Sequence, residues 1–175
     1  MKAYVILLRG VTPTGKNRVP MAALRTALTE AGLLDAQTYT QSGNVVAKSR
    51  LNQTAIQSLV HKVIAQKIGA DIAIIARTHD QIMSVVEGNP FSLVAASRTY
   101  FTLLESTPTS PLVDELSRLS FSPDDVKVIG STVYTLYATK HSDSKFNNNF
   151  FERKLKIAAT TRNFNAMSRL VELSK

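Results

Sequence analysis

Tyr-Val-Ile-Leu-Leu-Arg-Gly-Val-Thr-Pro-Thr-Gly-Lys-Asn, Tyr4 to Asn17, is the stretch on which the reading of the fold turns. An apolar run enters Arg9-Gly10, and Gly15-Lys16-Asn17 follows after four residues. The spacing reproduces most of a phosphate-binding P-loop, G-x-x-x-x-G-K-[ST], with Asn17 where the hydroxyl should stand. In a P-loop the strand bends directly into a helix whose N-terminus holds the Gly-Lys pair. Here Pro20 follows four residues after Lys16 and forces Val19 out of the helical region, so the helix starts near Pro20. Asn17 is a poor substitute for the magnesium-binding hydroxyl. No apolar strand ending in Asp follows, and Asp71 stands at the wrong end of Ile72 to Ala76. The stretch is therefore read as a basic loop after a strand, not as a nucleotide-hydrolysing motif.

The strand itself, Lys2 to Leu8, is apolar on both alternating faces. That pattern predicts a central strand covered on both sides. Outward from it, Pro20 opens a helix carrying Met21, Leu24, Leu28 and Ala31 at helical spacing, ended by Gly32. Thr38 to Gln41 and Val45 to Lys48 read as strands around Ser42-Gly43-Asn44. A second helix over Ile56 to Ile68 and a strand over Ile72 to Ala76 complete the order β-α-β-β-α-β, the ferredoxin-like pattern.

After a helix over Asp80 to Glu87 the pattern restarts: strand Thr99 to Leu104, helix Pro111 to Leu119, and strands Val126 to Ile129 and Val133 to Tyr137 around Gly130-Ser131-Thr132. A helix over Phe146 to Ile157 follows, with Phe150, Phe151 and Leu155 inward. No fourth strand is legible, and a last helix bearing Phe164, Met167, Leu170 and Val171 takes its place. The expected architecture is α+β, with two ferredoxin-like subdomains over 1–78 and 79–175, the second a modified repeat ending in a C-terminal helix.

Composition narrows the chemistry. The 175 residues include no cysteine, which removes disulfides, thiolate metal sites and cysteine nucleophiles. No run approaches the ~20 apolar residues of a membrane span, and the N-terminal apolar run is too short for a signal peptide. A cytoplasmic protein is expected. The net charge is +8: residues 1–87 hold ten basic and five acidic side chains, and 140–175 hold eight and three. Positive charge at both ends favours anionic partners such as nucleic acid, nucleotides or phosphorylated metabolites.

Candidate ligand groups are Arg9, Lys16 and Asn17 in the first loop, Ser42 and Asn44 in the hairpin, and Lys145, Arg162 and Asn163 near the C-terminus. Each also has a purely local explanation. Hairpin turns need Asn and Gly, and Asn163 or a neighbouring Thr can cap the last helix. The hairpin is expected at the opposite end of its half from the first loop. Arg162 beside a helix N-terminus would suit an anion. His61, His79 and His141 lie far apart, so no metal site or cofactor is expected. Base stacking in the manner of an RNA-recognition motif needs aromatics on the third strand, and Asn44 to Lys48 has none. Phe146 and Phe150 are read as core.

Leu7-Leu8-Arg9-Gly10, Gly15-Lys16-Asn17, Val19-Pro20-Met21, Leu24-Arg25, and Tyr39 with Gln41-Ser42-Gly43-Asn44-Val45-Val46 resemble the N-terminal signature of the bacterial domain of unknown function 1697. Asn89-Pro90-Phe91, Ser144-Lys145 and Thr160-Thr161-Arg162-Asn163 resemble its later motifs. Val11-Thr12-Pro13-Thr14 departs from the usual Ile-Asn-Val-Gly, Phe164 from Trp and Ala166 from Thr. The resemblance implies a bacterial, cytosolic α+β protein and assigns no activity and no catalytic residue. The leading expectation is a binding protein for an anionic ligand, nucleic acid or nucleotide. The alternatives are an enzyme on a small phosphorylated or carboxylated metabolite, and an assembly protein with an acidic partner.

Overall fold

β1 (Lys2–Leu8) lies inside its sheet, hydrogen-bonded on both edges. The computed structural model describes residues 1–175. Tyr4, Ile6 and Leu8 point into one core, and Val5 and Leu7 on the other face are equally buried. This is what a doubly apolar strand predicts. β3 (Asn44–Ser49) and β4 (Ile74–Thr78) flank it antiparallel, and β2 (Leu34–Tyr39) pairs with β3, giving the order β2-β3-β1-β4.

α1 (Met21–Glu30) and α2 (Gln53–Lys67) cover the Tyr4/Ile6/Leu8 face with Met21, Leu24, Leu28, Ile56, Val60 and Ile64. Burying each large aliphatic side chain is worth ~1.5–3 kcal/mol, so this face contributes heavily to the unit's stability. α1 starts at Met21 because Pro20 sits at its N-cap in an extended conformation, ψ 123°. α2 starts at Gln53 because the Asn52 side chain accepts from the Ala55 N–H. β4 begins two residues later than predicted and runs directly into α3 (His79–Glu87). There Thr78 and Gln81 form a reciprocal capping box: Ala-like neighbours could not satisfy both free amides, whereas Thr78 N donates to Gln81 Oε1 at 2.9 Å and Gln81 N to Thr78 Oγ1 at 3.3 Å.

The second unit repeats the plan: β5 (Thr99–Leu104), α4 (Ser110–Ser117), β6 (Asp125–Ile129), β7 (Thr132–Leu136), α5 (Asn148–Leu155), β8 (Ala159–Asn163) and α6 (Phe164–Leu173). Its sheet order is β6-β7-β5-β8, the same as the first. The expectation of a missing fourth strand is corrected here: Ala159–Asn163 is that strand, paired with β5 from Leu104↔Ala159 to Tyr100↔Asn163. Its Thr-Thr-Arg run lacks aliphatic residues, which hid it. Thr160 and Arg162 are nevertheless buried, and the Thr161 hydroxyl donates to Asn148 Oδ1 at 2.9 Å. A 3-10 helix at Leu93–Arg98, unanticipated, precedes β5.

The repeat extends to backbone detail. Leu8 N donates to Gly43 O at 2.9 Å and Arg9 N to Ala73 O at 3.0 Å; Leu104 N donates to Ser131 O and Glu105 N to Ala158 O, both at 2.9 Å. Each first strand thus ends by clasping the hairpin and the segment before the fourth strand. The compact units are 1–84 with 170–175, and 85–169, so the division falls within α3 and the last six residues belong with the first unit.

Candidate anion-binding loop

Antiparallel pairing decides what surrounds the first loop. β3 starts where β1 ends, with Leu7 opposite Asn44, so the β2–β3 hairpin sits at the same end as the loop. The expectation of opposite ends is corrected by that register. Gly43 fits directly against β1: a Cβ there would lie 2.7 Å from Leu8 Cβ and 3.0 Å from Val11 Cγ2.

Within the loop, Thr12 N donates to Asn17 O at 3.1 Å and Arg18 N to Gly15 O at 3.2 Å, while the Thr12 hydroxyl donates to Thr14 O at 2.8 Å. The loop folds back on itself and the helix begins only at Met21. Lys16 therefore does not stand at a helix N-terminus, and the P-loop geometry is absent. Lys16 and Arg18 are exposed, and Arg9 and Asn17 are half-buried. Neither 9–18 nor 39–44 contains a carboxylate. Asp71, in the segment before β4, engages His61 Nε2 at 2.8 Å.

In the hairpin, Ser42 is exposed and its hydroxyl is 2.7 Å from that of Thr40. Asn44 is fully buried. Its amide donates to Tyr39 O at 2.8 Å and to Thr40 Oγ1 and Ser42 Oγ at 3.0 Å each. Asn44 staples the turn and thereby orients the Ser42 and Thr40 hydroxyls.

Of the eight candidates, Arg9, Lys16, Asn17, Ser42 and Asn44 belong to the first unit, and Lys145, Arg162 and Asn163 to the second. Asn163 caps α6, its Oδ1 accepting from Ala166 N at 2.8 Å. Arg162 does not project from the helix end. It lies in β8, is 8% exposed, and donates to Thr160 Oγ1 at 2.6 Å and Thr161 O at 2.9 Å. Burial pushes its guanidinium down to about 10, which leaves it charged at neutral pH. Lys145 is exposed, its Nζ 5.3 Å from the centroid of the Phe146 ring. The preceding Ser144 is tied down, donating to Asp124 Oδ2 at 2.7 Å and accepting from Phe146 N at 3.1 Å. Open clefts of about 390 and 440 Å³ lie along β2 and β3 and are lined by none of the eight residues.

The sequence reading missed an aromatic nest in the second unit. His141 stacks on Tyr100, centroids 4.6 Å apart, and meets Tyr137 edge-on at 5.1 Å. Its Nε2 is buried without a hydrogen-bond partner, and burial lowers its pKa. Burial, reinforced by Asp124, raises that of Tyr137. A histidine whose folded pKa is depressed binds fewer protons than the unfolded chain, so stability falls as pH drops through about 6.5 toward the folded value. We expect His141→Phe, which preserves the stack, to remove part of the stability lost between pH 7.5 and 5.5, at most about 1.4 kcal/mol per pH unit. Urea midpoints at both pH values check this; equal acid sensitivity in the two proteins would refute it.

Comparison with known proteins adds a lineage but no activity. No curated protein matches the chain. A solved structure of a conserved bacterial protein from Streptococcus pneumoniae superposes with a TM-score of 0.78 at 18% identity, covering 99% of each chain. At that identity the likeness establishes the fold alone. No helix is long and apolar enough to cross a membrane. Residues 1–134, which include the clasped loop and hairpin, match the protein family of unknown function DUF1697, and the chain belongs to that family.

Proposed function

We propose that the chain binds the phosphates of nucleic acid or a nucleotide, in the cytoplasm, at the loop and hairpin that close the first sheet. One observation carries this reading: Arg9, Lys16 and Arg18 lie in an acid-free loop, folded by its own backbone hydrogen bonds, that follows a strand whose last amide, Leu8 N, is bonded to Gly43 O of a hydroxyl-bearing hairpin. Cations supply affinity for phosphate; the Thr40 and Ser42 hydroxyls, one of which donates to the other, can offer at most one further neutral donor. Asn44 supports the site from beneath by fixing the turn. Arg162 and Asn163 act in their own strand and helix cap, as their hydrogen bonds indicate.

Anisotropy titrations with short single-stranded RNA and duplex DNA at about 50 and 200 mM salt test the proposal. Binding should weaken as salt rises, with a log–log slope of about 0.7 per phosphate for single strands. Lys16→Ala with Arg18→Ala should flatten that slope by about 1.4, two contacts' worth. A thermal-shift series with mononucleotides separates a nucleotide ligand from a polymer. Absence of binding to any of these at low salt would overturn the proposal, and leave an acidic protein partner or a metabolite as the remaining anions.

A further inference from the structure

We infer that α5 and the residues before it form a second phosphate-binding surface, one that fits a nucleic-acid backbone. Lys145 Nζ lies 5.3 Å from the Phe146 centroid, and Arg153 Cζ and Lys154 Nζ each lie 5.8 Å from the Phe150 centroid. The two rings are themselves 5.1 Å apart. Three cations therefore flank a shelf of two touching rings, Arg153 and Lys154 reaching Phe150 at i+3 and i+4 on the helix and Lys145 the adjoining Phe146. All three are exposed, and none is paired with a carboxylate.

Two nearby acids are directed elsewhere. Glu152 Oε2 accepts from Ala159 N at 2.9 Å, and Asp124 accepts from Ala138 N and Ser144 Oγ. The helix dipole accounts for Arg153 and Lys154 in the last turn. It does not account for Lys145, which precedes the Asn147 N-cap, at the end where a cation is unfavourable. Lys145 instead rests over Phe146, a weak cation–π contact at an exposed site.

The ring faces settle the ligand class. Phe146 and Phe150 are buried, packed edge-on against each other and against Phe121, and leave no open face for a base. A strand would be held by its phosphates only, which is binding without sequence preference and with strong salt dependence. A mononucleotide presents too few phosphates to engage three cations so spread, whereas a polymer offers a phosphate every ~3.4 Å along a strand.

The test uses the full chain and labelled oligo(dT) and oligo(rU). Lys145→Gln, Arg153→Gln and Lys154→Gln together should weaken binding about tenfold or more at about 50 mM salt and flatten the salt slope by about two. The exposed positions should leave the thermal midpoint within a few degrees; Lys145→Gln alone, remote from the helix interior, should flatten the slope by about 0.7. Unchanged affinity and slope in the triple variant would overturn the inference, even if Lys16→Ala with Arg18→Ala abolishes binding. The reverse pattern would uphold the shelf and remove the first loop. No binding by the unaltered protein would refute both.

Discussion

Replacing Gly43 by alanine should destabilise the first unit by about 2–5 kcal/mol. Two penalties combine at this position. Gly43 has φ 92°, a conformation that costs an L-residue ~1–2 kcal/mol. Its added Cβ would also meet Leu8 Cβ at 2.7 Å and Val11 Cγ2 at 3.0 Å, and overpacking of this kind costs ~1–3 kcal/mol. Leu8 Cβ belongs to a fully buried residue of the central strand and has no room to retreat. Gly43 O meanwhile accepts the Leu8 N–H, so displacing the turn also breaks the clasp. Gly10 and Gly15 make the natural controls. Both have positive φ, yet a Cβ at either meets nothing within 4 Å. Gly10→Ala and Gly15→Ala should each cost only about 1–2 kcal/mol. Urea unfolding of the three variants decides the matter: equal losses would mean that backbone conformation, not contact with Leu8, fixes Gly43. The same variant separates the hairpin from the loop, because loss of the clasp should lower anion affinity before Lys16 or Arg18 is touched.

The sequence carried every strand except the polar β8, with the bounds of β2 and β4 displaced by a few residues. β1 was legible because a continuous apolar run has few other interpretations, and β5, Thr-Tyr-Phe-Thr-Leu-Leu, because β-branched and aromatic residues favour strands. β8 was not, because Thr160, Thr161 and Arg162 satisfy one another and the neighbouring Thr102 through side-chain hydrogen bonds rather than through an apolar stripe. The β-branched threonines and the repeat itself were the available signals. The first-loop residues were found from the spacing of Gly10, Gly15 and Lys16, but their nearness to the hairpin follows only from antiparallel register, which single-strand patterns do not encode. α5 is shorter than predicted for a local reason: Asn147 caps it by accepting from Phe150 N, and Lys156 ends it at φ 55°. That cap leaves Phe146 outside the helix, with Lys145 stacked over it. Arg153 and Lys154 had registered only as net charge, although their i+3 and i+4 spacing from Phe150 on a helix was an available signal; only the contact of Phe146 with Phe150 is a property of packing.

Arg162→Ala should cost about 3 kcal/mol of stability while leaving the anion affinity of the folded protein unchanged. The structural repeat makes the case. Arg77 in β4 stands opposite Val5, and Arg162 in β8 stands opposite Phe101, the same register position in each unit. Both are buried, and both donate from Nη1 to the carbonyl of the preceding residue at 2.9 Å. Cα-paired residues share a sheet face, so both arginines lie on the face turned away from the first two helices of their unit. Thr78 and Asn163, the next residues, both cap the helix that follows. A position filled by the same residue type, with the same hydrogen bond, in two units that otherwise differ in sequence has a reason internal to the fold. Removing the guanidinium leaves a large cavity and strands the oxygens it served, each worth about 1–3 kcal/mol when unsatisfied. Arg162→Lys should recover less than half, because Nη1 makes both bonds, to Thr160 Oγ1 and Thr161 O, and the lysine side chain ends one bond short of that position. Arg77→Ala should behave as Arg162→Ala does. Paired measurements of urea midpoint and oligonucleotide affinity discriminate the roles. If Arg162→Ala kept the midpoint and abolished binding, the arginine would be a ligand group after all, and the resemblance to Arg77 would be coincidence.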